Sequence, residues 1–421
     1  MAKQDIIIGA ENAKQGDSLF DAFTKTESNF SELYKLTQSG NNTVYLRSED
    51  DLPNKTATTW TMDSNVPYKL AASFTTSLQC IPVGGASLRG DNLGSFVLSF
   101  SGSGSMFKGV DVDFYINNVA INPGATNTAF EFSDTIGSVH RFIAQNVTVL
   151  SCDVWAKSTN MLLFQVNNCG SSNAANGVQF FGALGRIWSI SRFAITSTNS
   201  NFVGLDLGSA IVPVCEIGNL VFSAPAGAVG VSGLPNSGNI PVGRLARLNS
   251  SEFLGSMTDL QGLSSSNDTR WAFFENSPTP DTQPDALTSF RGNALVTTIT
   301  TINTPVLVSA VWVEVQASLF TTTSSGRVVY EAERALKAPI TVSAGVVAVG
   351  GGSIDATAYI AKNSAVIPAS GVSISVSGSK SETLTIPWQD TVSQGDYYEV
   401  FIENNSGTTN IIVDHAILRV L

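Results

Sequence analysis

Between residues 92 and 248 a short pattern recurs: apolar, spacer, polar, apolar, spacer, apolar. It reads Ile116-Asn117-Asn118-Val119-Ala120-Ile121, then Ala144-Gln145-Asn146-Val147-Thr148-Val149, then Val166-Asn167-Asn168-Cys169. It returns as Ile190-Ser191-Arg192-Phe193-Ala194-Ile195, as Ile217-Gly218-Asn219-Leu220-Val221-Phe222 and, degraded, as Ala246-Arg247-Leu248. The polar marks Asn118, Asn146, Asn168, Arg192, Asn219 and Arg247 stand 28, 22, 24, 27 and 28 residues apart. Apolar and polar members alternate at period two, so each unit is strand rather than helix. Gly, Ser and Asn between them supply tight turns. Repeats of this length stack as coils, and the pattern predicts a right-handed parallel β-helix over 43–253. Coils stack about 4.8 Å apart, which would set Asn118, Asn146, Asn168 and Asn219 in one hydrogen-bonded column. The competing reading of the same spacing is an ordinary β-sandwich.

The pattern changes on either side. From residue 293 to 421 alternation is strict: Val311, Val313 and Val315 interleave with Trp312, Glu314 and Gln316, and Leu384, Ile386 and Trp388 repeat the device. Such half-buried antiparallel strands predict a sandwich or jelly roll. Residues 254–292 are rich in Ser and Pro and read as a linker, with Trp271-Ala272-Phe273-Phe274 buried inside it. Residues 1–42 open with Ile6-Ile7-Ile8 and then predict a short helix, capped by Ser18 and Asp21. Its apolar residues are Leu19, Phe20, Phe23, Phe30, Leu33 and Tyr34. A helix this short needs a partner: copies of itself, a docking surface, or the end of the β-helix.

Composition narrows the classes. Charged residues are only 14% of the chain and the net charge is −11. Basic stripes for nucleic acid are missing, and no apolar run reaches membrane-spanning length, so neither partner is expected. Low charge fits a surface of Ser, Thr, Asn and Gly, or one hidden in an oligomer. Cys80, Cys152, Cys169 and Cys215 have no close spacing and read as buried thiols of a chain made in a reducing compartment. No secretion signal is visible. A non-secreted, charge-poor β protein fits a virion part released by lysis.

Gly16-Asp17-Ser18-Leu19-Phe20-Asp21-Ala22-Phe23, followed by Asn29-Phe30-Ser31-Glu32-Leu33-Tyr34, resembles the N-terminal motif of many bacteriophage tail, neck and fibre proteins. The chain departs from that pattern at Thr26-Glu27-Ser28. Residues 44–53, 68–70 and 81–92 are similar to the lead-in coils of phage spikes. Residues 359–363 and 396–404 resemble the jelly-roll head of phage fibres. The resemblance implies a homotrimeric structural virion protein, assembled in the bacterial cytoplasm and placed on the tail or neck. Leu19, Phe20, Phe23, Phe30, Leu33 and Tyr34 would anchor it to other tail or neck proteins and start the trimer, and the head would meet the host surface. An internal adaptor without host contact is a further option within the same resemblance.

Chemistry is sparse. His140 and His415 fall in different predicted domains, which disfavours a His-rich metal site or a serine triad. No phosphate-binding or dinucleotide motif occurs. The expectation is therefore a protein that is not an enzyme and holds no cofactor or metal. The alternative is a tailspike that cleaves host-surface glycan with two carboxylates. Asp111 and Asp113, two apart on one presumed strand face, are its candidates, with Asp153 and Glu216 as neighbours. Trp155 and Trp188 are either sugar platforms or core. Arg89-Gly90-Asp91 matches an adhesion tripeptide and reads as a chance match in a turn.

Overall fold

The computed structural model describes residues 43–92, 95–189, 191–264 and 268–421. The predicted N-terminal strand and helix, and with them Leu19, Phe20, Phe23, Phe30, Leu33 and Tyr34, lie outside the described residues. The described chain is nearly all β: a parallel solenoid of about nine turns, then antiparallel sheets. It falls into two units, the second made of Ile211–Gly218, Val231–Glu252 and Asp259–Leu421.

In the first unit the coils stack their strands into three walls. The first wall stacks Val44–Leu46, Pro67–Leu70, Ser87–Arg89, Phe114–Asn122, Arg141–Val149, Leu163–Asn167 and Arg186–Ser189 in parallel. The second stacks Ser105–Val110, Gly124–Ser133, Cys152–Thr159 and Ala174–Phe181. The third continues from the first around a corner, in the later residues of Phe114–Asn122 and Arg141–Val149, then Cys169–Ser171, Phe193–Thr196 and Leu220–Ala224. Alternation along each strand sends every second residue inward. Phe114, Phe142 and Phe164 share one register position in successive coils, with ring centroids 6.5 and 5.2 Å apart. Phe130, Trp155 and Phe193 extend the stack at 5.2 and 4.9 Å. These apolar rings remove large areas from water, which drives the coils together.

The corner explains the polar marks. Asn118, Asn146, Asn168 and Asn219 have φ of 57, 51, 48 and 56°. This left-handed conformation disfavours most side chains, and Asn tolerates it. Asn146 Nδ2 donates to Asn118 Oδ1, and Asn168 Nδ2 to Asn146 Oδ1, each at 2.8 Å. Arg192 takes the position after Asn168, its carbonyl accepting the Cys169 N–H at 2.9 Å. Gly90 lies one coil before Asn118, where an added Cβ would sit 2.2 Å from the Asn118 carbonyl oxygen. Arg89 thus ends a wall strand, and Gly90 and Asp91 lie in the turn that follows it.

In the second unit Val214–Gly218, Ala246–Asn249 and Trp271–Phe274 stack in parallel. An antiparallel sandwich follows. One sheet runs Val313–Ser318, Asp285–Arg291, Ile411–Val420, Leu336–Ala348, Glu382–Val392. The other runs Phe320–Thr322, Val328–Tyr330, Tyr397–Asn404, Ser353–Lys362, Ala365–Val366. Ile340, Val342, Ile360, Tyr398, Val400 and Leu418 meet in its core. Residues 254–292, expected as a linker, differ from that expectation. Trp271–Phe274 is a further parallel rung and Asp285–Arg291 a sandwich strand. Thr279, between Pro278 and Pro280, is buried. Ser and Pro there make ordered turns between strands.

Candidate functional site

The outward positions of the first wall form two columns. Tyr45, Lys69, Arg89, Asn117, Gln145 and Asn167 share one register line. Ser87, Tyr115, Ile143, Gln165 and Trp188 share the next. Tyr115 donates its hydroxyl to Gln145 Oε1 at 2.9 Å, which ties the columns together. Lys69 Nζ sits 5.4 Å from the Tyr45 ring centre, and the Arg186 guanidinium 4.1 Å from that of Trp188. Each cation favours the negative face of its ring. The strip therefore offers aromatic surface at Tyr45, Tyr115 and Trp188, cations at Lys69 and Arg89, and amides at Asn117, Gln145, Gln165 and Asn167, so that each coil presents at least one such group.

At one side of this strip lies a depression of about 170 Å³ lined by Ser87, Asp113, Tyr115, Arg141 and Ile143 among others. Asp113 Oδ1 accepts the Arg141 N–H at 2.7 Å, a bond to the next coil. Asp113 is the one carboxylate among the lining residues. The spot offers one acid–base group beside one cation and one phenol.

Asp111 is elsewhere. The strand Ser105–Val110 ends before it, and its φ of 55° turns the chain, so Asp111 and Asp113 do not share a strand face as the spacing suggested. Its carboxylate takes the Thr135 N–H at 2.6 Å and the Thr135 hydroxyl at 2.5 Å. Those bonds hold its carboxyl below the usual range. Asp134 and His140 stand beside it, all three offering ligand atoms within 4.8 Å of one another. Asp134 is buried, which pushes its carboxyl up, but backbone N–H groups of His140, Val139, Gly137 and Ile136 outweigh this and lower it to about 2. Both carboxylates are thus ionised at neutral pH, and neither holds a proton to donate. By distance the trio could hold a cation, yet both Asp134 oxygens already brace the loop. Sequence reasoning missed Asp134 and set His140 aside because His415 falls in another domain. The signal lay in the offset, for Asp134 follows Asp111 by about one coil.

The remaining candidates separate. Trp155 is fully buried between Phe130 and Phe193, and its Nε1 donates to the Gly170 carbonyl at 3.4 Å. It belongs to the core; Trp188 belongs to the outer strip. Asp153 and Glu216 lie on strands of different sheets. All four cysteines are buried thiols, and burial pushes Cys152 and Cys169 up to about 12.

No family model and no curated protein matches the chain. Solved structures do. The enzymatically active domain of tailspike protein 2 from bacteriophage CBA120 is 10% identical, with 82% of this chain and 75% of that one covered and a TM-score of 0.23. The corresponding domain of tailspike protein 4 is 12% identical, covering 84% and 64%, with a TM-score of 0.18. A TNF protein, Eiger from S. frugiperda, is 12% identical over 33% of this chain and 92% of that one, with a TM-score of 0.23. At these values no residue role carries across. The expectation that the chain is not an enzyme is nevertheless corrected: two of these neighbours are enzymatically active domains. The missing triads and phosphate loops do not bear on glycan chemistry, which needs a pair of acid–base groups.

Proposed function

We propose that this chain is a bacteriophage tailspike that cleaves host-surface polysaccharide along the outer strip of its solenoid. One observation carries the reading: every coil presents an aromatic, amide or cationic group on one outward face, at the coil spacing of about 4.8 Å. A regular ladder of binding groups suits a repeating polymer better than a small molecule. Tyr115 and Trp188 are the stacking surfaces in this reading. Asp113 is the general base in this reading and the Tyr115 phenol, which burial keeps protonated, the general acid that protonates the leaving oxygen, with Arg141 supplying positive charge beside them. The virion role follows the N-terminal motif, with attachment to tail or neck through Leu19, Phe20, Phe23, Phe30, Leu33 and Tyr34. The particle form is a homotrimer. Val311, Val313 and Val315, 63, 60 and 59% exposed on the sandwich, supply apolar surface for a second copy.

The test is release of reducing ends from capsule and lipopolysaccharide of the host. Wild type should release them. Asp113→Asn should lower the rate at least 100-fold, by the size of a lost acid–base contribution. Asp111→Asn, whose target is Thr135, should retain most of it. No release from the true host's glycans by the wild type would overturn the reading.

A further inference from the structure

The sandwich has a groove of its own, about 530 Å³, on the outer face of the sheet containing Ser353–Lys362. Ile354, Ala356, Ala358 and Ile360 point into the core, so Asp355, Thr357 and Tyr359 point out. Ser373 and Ser375 stand beside Thr357 and Asp355 on the neighbouring strand. Glu403 faces Thr357 from the other side. Tyr359 donates its hydroxyl to Glu403 Oε1 at 2.7 Å, and Asn405 Nδ2 donates to the same oxygen at 2.8 Å. Thr357 donates to Asn405 Oδ1 at 2.7 Å, and Ser375 to Asp355 Oδ1 at 2.6 Å.

Glu403 is only 5% exposed, yet among the described residues no donor reaches its Oε2. That oxygen is therefore open to accept a donor from a ligand in the groove. No Lys or Arg lines the groove, so its two carboxylates repel anions. Pro368 and Ile374 add apolar wall beside the Tyr359 ring. Apolar wall with a few placed polar atoms is the usual make-up of a small-ligand site.

We propose that this groove binds one neutral sugar unit, with hydroxyls donating to Glu403 and Asp355 and the ring face lying on Tyr359. The inference rests on the host-surface reading of the chain but not on cleavage. The experiment is saturation-transfer NMR on the full chain with glucose, galactose and N-acetylglucosamine, and with glucuronate as the anionic counterpart. Transfer to at least one neutral sugar and none to glucuronate is expected. Glu403→Gln and the exposed Asp355→Asn should each weaken that binding several-fold while leaving circular dichroism unchanged. No transfer to any neutral sugar, equal transfer to glucuronate, or unchanged affinity in both variants would overturn the proposal. Sugar binding without reducing-end release would sink the cleavage reading alone, and release without sugar binding would sink this one alone.

Discussion

Asn146 is both donor and acceptor between two copies of itself in the repeat: its Nδ2 gives a 2.8 Å hydrogen bond to Asn118 Oδ1, and its Oδ1 takes one from Asn168 Nδ2. The bonds need a side chain at the corner, and the corner needs φ of 51°. Asn146→Gly keeps the conformation and loses two bonds, a cost of about 1–2 kcal/mol. Asn146→Ala loses the same bonds and adds about 1 kcal/mol of left-handed strain. Thermal unfolding of the two variants should place Ala below Gly. Equal midpoints would show that the ladder, not the backbone, sets the whole cost.

The corner was legible because one conformational demand recurs every coil and few residue types meet it. Asn118, Asn146 and Asn168 therefore repeat in the sequence as they repeat in space. Arg192 broke the pattern without breaking the stack, since its backbone still takes the Cys169 N–H. The carboxylates were not legible in the same way. Asp111 and Asp113 look like one strand face, but Asp111 has positive φ and bonds Thr135, 24 positions on. Asp134 braces its loop with both oxygens, which no local pattern announces. Residues 271–274 and 285–291 were hidden by the Ser and Pro around them, because composition reports turns and not whether the turns are ordered. The Glu403 groove joins three strands and carries no motif.

Trp155 and Trp188 should part company when truncated. Trp155 is fully buried among aromatic rings, so Trp155→Ala should cost about 3–5 kcal/mol of stability. Trp188 is half-buried on the outer strip, and Trp188→Ala should change stability by less than about 1 kcal/mol. Losing its ring should weaken polysaccharide binding by about tenfold, the size of one stacking contact. Calorimetry for stability and a polysaccharide retardation gel for binding would separate the effects. Unaltered retardation of Trp188→Ala would remove it from the glycan path.

Asp134 gives the fold an acid sensitivity with a defined sign. Its folded carboxyl lies at about 2, below its ordinary value of 3.8. A depressed folded value stabilises the protein above the ordinary value, and that stability is lost as pH falls toward 2. The wild type should therefore lose unfolding temperature between about pH 5 and pH 2. Asp134→Asn, which cannot accept four backbone donors as well, should be less stable at pH 7. Its deficit should narrow as the wild-type carboxyl protonates. A deficit that stays constant from pH 7 to pH 2 would show that the charge is not what the loop uses.

The edge strand Val313–Ser318 pairs with Asp285–Arg291 on one side, and it ends the order of its sheet. Val313 and Val315 are 60 and 59% exposed there, and Ile417 of the same sheet is 46% exposed. An edge with a row of open apolar side chains invites association unless it is covered. If a second copy covers it, the full chain sediments as a trimer at micromolar concentration. Val313→Glu with Val315→Glu should then give a monomer, because three charged pairs would be buried without partners. In the isolated protomer both positions face water, so the same changes should cost within about 0.5 kcal/mol each. A monomeric wild type would end the trimer reading. A double variant that stays trimeric would move the interface off this edge and leave the valines without an explanation.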